Sequence, residues 1–282
     1  MSKVIIVTDS TATIPKDTLD QYNIKVAPQI LIWGDQTLLD GIDIQPGEFY
    51  DRLQTDNIRP TTSQVTPAIF NEIFEQLLEE DHHILAVLIS TKLSGTIESA
   101  NQALKFFPNA PIEIVDSQSV AMALGFQVLV AARAAHEGAS LAECKELAEA
   151  SISHTGVVFA VDTLEYLHRG GRIGGGTRFL GTALNIKPIL EVRDGRVEAV
   201  ERVRTRKKSI ARLIELVEER INGRQPVHLA VLHAQALQEA KVLLEDVHKK
   251  IETEETYFTE VSPVVGNNAG PGTIGLAYLA GM

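Results

Sequence analysis

The sequence is poor in the residue types on which disulfide-rich, nucleic-acid-binding and membrane-spanning proteins depend. Cys144 is the only cysteine, which excludes an internal disulfide and a multi-cysteine metal site, and its helical sequence context indicates a packing role. There are 26 Lys and Arg against 37 Asp and Glu. This acidic balance argues against nucleic acid as a main partner, because phosphate neutralisation needs a basic surface. No apolar run approaches the roughly 18 residues of a membrane span, so no stable membrane insertion is expected.

The common signatures of hydrolases and zinc enzymes are also missing. The chain has no G-x-S-x-G, H-E-x-x-H, C-x-x-C or S-x-x-K segment, which lowers the expectation of an enzyme without excluding one. His168 could act as a general base, but no Ser or Cys nucleophile can be assigned to it. We therefore expect no catalytic residue, no metal and no cofactor.

The composition is otherwise that of an ordinary globular protein, with 44% hydrophobic and 22% charged residues. At 282 residues the chain can form one large or two medium domains. Its first residues lead directly into a predicted strand and not into a signal peptide, so a cytoplasmic location is expected.

Short apolar runs alternate with helical patterns through the first half of the chain, beginning with the run from Val4 to Val7. This alternation predicts right-handed crossovers and a largely parallel sheet. In the second half, the Asp194-Gly195 turn predicts a β-hairpin, and the order of strands and helices favours a mixed sheet with helices on one face. The predicted fold class is therefore α/β with two domains. They are an N-terminal α/β/α layer domain at residues 1–155, with a small irregular insertion at about 33–60, and a C-terminal α+β domain at residues 156–282.

Hydroxyl side chains gather where predicted strands end. The stretch from Ile89 to Thr96 follows an apolar run and precedes a helical pattern, so several backbone N–H groups should point at one spot. Thr61 to Ser63 is a second hydroxyl cluster, predicted as a loop before a helix that begins at Thr66-Pro67. Together these segments predict a pocket for a carboxylate or a phosphate, although hydroxyl residues are common in any loop.

A strand followed by Asp and a hydroxyl residue occurs three times, at Asp9-Ser10, Asp116-Ser117 and Asp162-Thr163. Ligands of open α/β sheets bind at the carboxyl ends of strands, so Asp9 and Ser10 are candidates, but a turn-capping role is equally well supported. Asp40 and Asp43 could suggest a metal site. Without a third ligand in reach, a solvated loop is favoured for both.

Basic side chains cluster in two segments of this acidic chain. Residues 169–174 combine two arginines with three glycines, but the spacing fits neither common phosphate-binding motif, so a tight loop is predicted. A second basic stretch includes Arg202 and Arg204. Most of its side chains are interpreted as a solvated face, and Arg204 is singled out as an anion partner.

Seven segments, in order along the chain, resemble the motifs of one family. They are Val7-Thr8-Asp9-Ser10, Thr62-Ser63-Gln64, Leu93-Ser94-Gly95-Thr96, Val115-Asp116-Ser117, Leu167-His168-Arg169-Gly170-Gly171-Arg172-Ile173, Val203-Arg204-Thr205 and Gly270-Pro271-Gly272. Through them the chain resembles the DegV family over nearly its full length. The resemblance implies a two-domain, non-catalytic protein that binds one long-chain fatty acid in the cleft between its domains. For some members it also implies a separate fatty acid kinase as partner, which phosphorylates the carboxylate for phospholipid synthesis.

The resemblance also implies which side chains hold the ligand. The hydroxyls of Thr62 and Ser94 would bind the carboxylate, and the two residues after Ser94 would supply backbone donors. Arg204 resembles the family's basic residue near the head group or the kinase-facing surface. Where the family usually has a histidine, three residues before the proline of Gly-Pro-Gly, this chain has Asn268, which can donate a hydrogen bond but carries no proton-linked charge. The predicted pocket consists of Thr62, Ser63, Ser94, Gly95, Thr96 and Asn268.

Two other functions stay open at this point. A phosphoryl or acyl transferase acting on a small acid would work around Gly170 to Arg172, with Asp9 or Asp116 on a metal. A lipid-dependent sensor or partner-binding protein would hold its lipid as a structural component. Nucleotide-dependent turnover by the isolated protein would favour the first, and a ligand that never exchanges would favour the second.

Overall fold

The computed structural model describes residues 3–179 and 186–282, which form two α/β domains as predicted. The strands of the N-terminal domain are β1 (Val4–Asp9), β2 (Lys25–Ala27), β3 (Ile30–Trp33), β4 (Gln36–Leu39), β5 (Thr61–Ser63), β6 (His83–Leu88) and β7 (Ile112–Asp116). Its helices are α1 (Lys16–Gln21), α2 (Pro46–Thr55), α3 (Pro67–Glu79), α4 (Thr96–Leu104), α5 (Ala121–His136) and α6 (Leu141–Ser151).

The main sheet of this domain is parallel and is covered on both faces. Its strands lie in the order β2-β1-β6-β7, and each neighbouring pair is parallel. Val4 and Ile6 of β1 belong to the core on the α5 side, whereas Ile5 and Val7 belong to the core formed with α3 and α4. Because both faces are buried, the strand is an uninterrupted apolar run, and the predicted α/β/α layering is confirmed.

Two helix starts in this domain follow directly from the sequence. The Thr66 hydroxyl accepts from the N–H of Ile69 at 3.3 Å, and Pro67 occupies the first turn of α3. Ser140 and Glu143 form the predicted capping box at the start of α6.

A small antiparallel sheet, β4-β3-β5, corrects the prediction for residues 61–63. Its strand β3 follows β2 closely but belongs to a different sheet, and the two are separated at Pro28 and Gln29, since proline cannot donate to a strand ladder. Residues 61–63 were predicted as a loop and form β5, paired with Ile30 to Ile32 of β3. A strand of three hydroxyl residues has no apolar alternation by which it could be recognised.

The C-terminal domain is built on a mixed sheet. Its strands are β8 (Thr155–Ala160), β9 (Lys187–Arg193), β10 (Arg196–Val203), β11 (Val227–His233), β12 (Glu255–Glu260) and β13 (Ile274–Ala280). Its helices are α7 (Glu165–Arg169), α8 (Arg206–Ile221), α9 (Leu237–His248) and α10 (Pro263–Ala269). The strand order is β10-β9-β8-β13-β11-β12, in which only the β11–β12 pair is parallel among the described residues. The predicted hairpin is confirmed as β9–β10, whereas helix α10 was not predicted.

The long helix α5 lies between the two sheets. Twelve of its sixteen residues are buried, and its core includes Val87 of the first domain together with Leu232 and Ala277 of the second. The opposite face of the mixed sheet is covered by α8 and α9. The boundary predicted after residue 155 stays a prediction. No helix in the described parts of the chain has the length and apolar character needed to cross a membrane.

Candidate functional site

A cavity lies between the two domains. It encloses about 920 Å³ of empty space, including the part open to solvent. Most of its wall is apolar and comes from both domains, for example Ile89 and Leu93 from the first and Val157, Phe159 and Leu232 from the second. Its shape and lining therefore suit a ligand with a substantial hydrocarbon part.

The structure brings four of the seven predicted site residues to this cavity. Thr62 and Ser63 reach its wall from β5, Ser94 from the turn before α4, and Asn268 from α10. Thr62 and Ser94 therefore line one cavity although they are distant in sequence. That these side chains bind a ligand stays a prediction.

The other three predicted residues do not contribute to the cavity wall. Gly95 and Thr96 lie beside it at the start of α4, where Thr96 is fully buried. The Thr96 N–H donates to the Ser94 hydroxyl oxygen at 3.3 Å. Arg204 is exposed in the segment between β10 and α8 and belongs to the surface.

Behind Ser94, a chain of hydrogen bonds leads to the buried carboxylate of Asp9. The oxygens Ser94 Oγ and Thr96 Oγ1 are 2.8 Å apart, and Gln29 Nε2 donates to Thr96 Oγ1 at 2.9 Å and to Asp9 Oδ1 at 3.1 Å. The other carboxylate oxygen, Asp9 Oδ2, accepts from the backbone N–H of Ile89 at 2.8 Å. Burial raises the pKa of Asp9, while its hydrogen bonds act in the opposite direction. Asp9 thus holds the ends of β1 and β6 and the side chain of Gln29 in one arrangement.

The three strand-Asp-hydroxyl sites have different environments. Asp9 also accepts from the N–H of Thr11, which is the predicted turn cap. Asp116 accepts from the hydroxyl of Thr91 at 2.6 Å, and Asp162 forms an ion pair with Lys187 at 2.8 Å. Of the three carboxylates, Asp9 is the one linked through side chains to the cavity.

Asp40 corrects the prediction of a solvated loop. It is 2% exposed, and its Oδ2 accepts from the Ser10 hydroxyl at 2.6 Å. Burial raises the pKa of Asp40 to about 6, although hydrogen bonds from Ser10, Ser262 and the backbone of Val264 lower it. Ser262 and Val264 belong to the start of α10, so Asp40 lies where the small sheet meets the C-terminal domain. Asp43 is exposed, as expected.

The glycine-rich segment forms part of the cavity wall through Arg172, which donates from Nε to the carbonyl of Leu93 at 3.1 Å. Gly170 is needed for close approach, because a Cβ there would collide with Asn268 Oδ1. Asn268 donates from Nδ2 to the carbonyl of Val264 at 2.9 Å, while Oδ1 is buried and has no hydrogen-bond partner among the described residues. The predicted tight loop thus packs against α10 through Gly170 and against the turn before α4 through Arg172.

Sequence reasoning did not select six further polar residues of the cavity wall: Thr11, Gln29, Gln64, Arg172, His233 and Thr273. Gln29 follows Pro28 at the break between β2 and β3, where a side chain can turn inward. Arg172 was considered only as part of a tight loop and of the alternative transferase site. His233 ends β11, and no local pattern distinguishes a cavity-facing histidine from one satisfied in the core.

The protein-family model described as "Uncharacterised protein, DegV family" matches residues 3–281 of the chain. A DegV domain-containing protein of Streptomyces coelicolor is 38% identical over 276 residues, which cover 97% of each chain. A solved structure described as the fatty acid binding of a DegV family protein from Thermus thermophilus has a TM-score of 0.93 at 34% identity, covering 99% of both chains. DegV of Bacillus subtilis, described as a fatty acid binding protein, has a TM-score of 0.90 at 30% identity, covering 99% of this chain and 100% of that one. The chain therefore belongs to the DegV family.

Proposed function

We propose that the protein binds a long-chain fatty acid in the cavity between its domains. The observation that carries this proposal is the combination of an apolar wall with hydroxyl residues from two separate segments, Thr62-Ser63 of β5 and Ser94 of the turn before α4. The relatives from Thermus thermophilus and Bacillus subtilis, described as fatty acid-binding, support the same ligand. Burying about 14 methylenes offers on the order of 11 kcal/mol before the costs of association, so the tail dominates affinity.

The carboxylate is oriented by donors at one part of the wall. In this proposal the hydroxyls of Thr62, Ser63 and Ser94 donate to it, and the residues at the start of α4 place the partial positive charge of a helix N-terminus nearby. Asn268 contributes an amide next to these groups. Each hydrogen bond to the charged head group contributes roughly 1.5 to 3 kcal/mol, so the polar wall sets polarity and orientation more than total affinity.

The protein acts, in this proposal, as a non-catalytic carrier in the cytoplasm that presents the acid to a separate fatty acid kinase. Arg204 is suited to contact a partner, because it is exposed and has no hydrogen bond or ion pair with any described residue. Adding the kinase and ATP to the loaded protein should yield an acyl phosphate, whereas nucleotide turnover by the isolated protein would contradict the carrier role. Arg204→Ala should lower the rate with the kinase and leave fatty acid affinity unchanged.

Organic extraction and mass spectrometry of the purified protein test the ligand directly. We expect a stoichiometric fatty acid without added lipid. Thr62→Ala combined with Ser94→Ala should weaken binding of a delipidated sample by at least about tenfold, because two hydrogen bonds to a charged group are lost. The matched control is Thr55→Ala with Ser153→Ala, which removes two exposed hydroxyls away from the cavity. Equal affinities for both double variants would contradict the assigned head-group site.

A further inference from the structure

Gln29 is fixed by hydrogen bonds to both its backbone groups and its side chain. It is 2% exposed. Its backbone N–H donates to Ser10 Oγ at 3.1 Å, and its backbone carbonyl accepts from the N–H of Asp40 at 2.9 Å. Its side-chain nitrogen donates to both Asp9 Oδ1 and Thr96 Oγ1. The residue therefore has one position and one side-chain direction.

The buried carboxylate fixes which way the amide of Gln29 faces. Asp9 accepts hydrogen bonds on both oxygens, from the N–H and hydroxyl of Thr11 on Oδ1 and from the N–H of Ile89 on Oδ2, so the amide nitrogen of Gln29, and not its oxygen, faces Asp9. Both hydrogens of that nitrogen are then used, one on Asp9 and one on Thr96 Oγ1, at 3.1 and 2.9 Å. The hydroxyl oxygen of Thr96 is consequently an acceptor toward Gln29.

The same count of donors and acceptors fixes the Ser94 hydroxyl. Accepting from Gln29 makes the Thr96 hydroxyl the stronger donor of the pair, and its buried hydrogen has Ser94 Oγ, 2.8 Å away, as its one acceptor among the described residues. Ser94 Oγ also accepts from the Thr96 N–H at 3.3 Å. A hydroxyl oxygen has two acceptor sites, and both are now occupied. The remaining hydrogen of Ser94 must point to the cavity, whose wall Ser94 helps to form.

We propose that Gln29 is a positioning residue that makes Ser94 an obligate hydrogen-bond donor and thereby selects an ionised head group. An anionic carboxylate presents only acceptors to this hydroxyl and gains a charge-assisted bond. A neutral alcohol of equal chain length forms a weaker bond there. This inference rests on the proposed function, because it assigns the selectivity of the same site.

The test compares tetradecanoic acid with 1-tetradecanol as competitors of a fluorescent fatty acid on the delipidated protein, at about pH 8, where the acid is ionised. Gln29→Met keeps the length of the side chain and removes both N–H donors. Without them the Thr96 hydroxyl is no longer favoured as the donor of the pair, and the Ser94 hydrogen turns toward Thr96 and away from the cavity. We expect affinity for the acid to fall about tenfold or more, while affinity for the alcohol changes less than about threefold.

The matched control is Gln127→Met. Gln127 is also fully buried, and its Nε2 also makes two hydrogen bonds, to Ser117 O at 3.0 Å and Thr155 Oγ1 at 2.9 Å, but it lies outside the cavity wall. The Gln127→Met substitution should leave the ratio of acid to alcohol affinity unchanged. A general loss of packing would weaken both ligands equally in either variant, so the ratio separates positioning from structural damage.

A second pair of variants carries the test if Gln29→Met does not fold. Gln29→Leu also removes both N–H donors and should reduce the ratio of acid to alcohol affinity, whereas Thr96→Val removes the oxygen to which the Ser94 hydrogen could turn and should preserve the ratio. An unchanged ratio in Gln29→Met or in Gln29→Leu, or a reduced ratio in Thr96→Val, overturns the inference. An unaltered protein that binds acid and alcohol equally well also overturns it and leaves lipid binding intact, whereas one that binds neither refutes the proposed function itself.

Discussion

Replacing Asp40 by asparagine should stabilise the protein at neutral and alkaline pH. Asp40 is a buried carboxyl between the Ser10 turn and the start of α10, and Asp9 lies close enough to raise its pKa further. Asparagine keeps the shape and an acceptor for the Ser10 hydroxyl while it removes the charge. The variant therefore isolates the cost of ionising this one buried group.

The expected size follows from the pKa of Asp40, which burial raises from 3.8 to about 6. A difference of this size between folded and unfolded protein corresponds to about 3 kcal/mol, at 1.36 kcal/mol for each pH unit. Because the folded protein binds the proton more tightly, the contribution of Asp40 to stability is fully present below pH 3.8 and is lost as the pH rises to about 6. The unfolding free energy of Asp40→Asn minus that of the unaltered protein should thus be near zero in acid and reach up to about 3 kcal/mol above pH 6.

Urea unfolding of both proteins at a series of pH values between about 4 and 8 measures this difference. Asp43→Asn is the matched control, since Asp43 is exposed in the same loop and should give a flat difference curve. A flat curve for Asp40→Asn, or one in which the unaltered protein gains stability with rising pH, would refute the reasoning. It would mean that Ser10 and the start of α10 compensate the charge fully.

Two further substitutions probe contacts of the cavity wall and of the C-terminal sheet. Gly170→Ala should lower thermal stability by about 2 kcal/mol and weaken fatty acid binding, because the added Cβ would displace Asn268. Gly47→Ala is the control and should change neither quantity, because no atom lies within 4 Å of the Cβ added there. Equal melting temperatures for the two would contradict the close approach. Glu191→Ala should destabilise the protein by about 3 kcal/mol in urea unfolding, because Glu191 is 5% exposed and its two arginine partners lose their countercharge. Lys16→Ala removes an exposed ion pair and should cost less than about 0.5 kcal/mol. Similar losses in both would show that burial does not matter there.

The layer architecture was predictable because burial on both faces leaves a strong trace in the sequence. The strand that starts at Val4 is apolar as far as Val7, and the helix that follows Thr66-Pro67 has both a cap and an apolar stripe. These signals are local. They depend on the periodicity of the backbone and on hydrogen bonds within a few residues, so they survive without knowledge of the rest of the chain.

Helix α10 was missed although its start repeats a signal that was used elsewhere. Ser262-Pro263 has the same cap and first-turn proline as Thr66-Pro67, but the segment that follows contains glycine and asparagine, which are poor helix formers. The contact that accompanies the helix is tertiary. A Cβ on Gly266 would collide with Tyr50 of α2, so the glycine permits a close approach between domains that no local pattern reveals.

The candidate site was predictable only in part. Thr62 and Ser94 were selected from two hydroxyl clusters and from the resemblance to the DegV family, and both reach the cavity. Gln29 was overlooked because its importance comes from Asp9 and Thr96, which are 20 and 67 residues away. Long-range hydrogen bonds of this kind have no spacing rule, so a sequence can indicate the groups that face a ligand more readily than those that orient them.

Helix α5 has a consequence for any attempt to divide the protein. Twelve of its sixteen residues are buried, in a core that includes residues of both sheets. A fragment ending at residue 154 would expose the apolar surface that Leu232 and Ala277 cover, and a fragment beginning at Thr155 would expose the matching face of its sheet. We therefore expect neither half to fold independently, and we expect an exchange of one half with that of a relative to require the residues around α5 to be exchanged as a set.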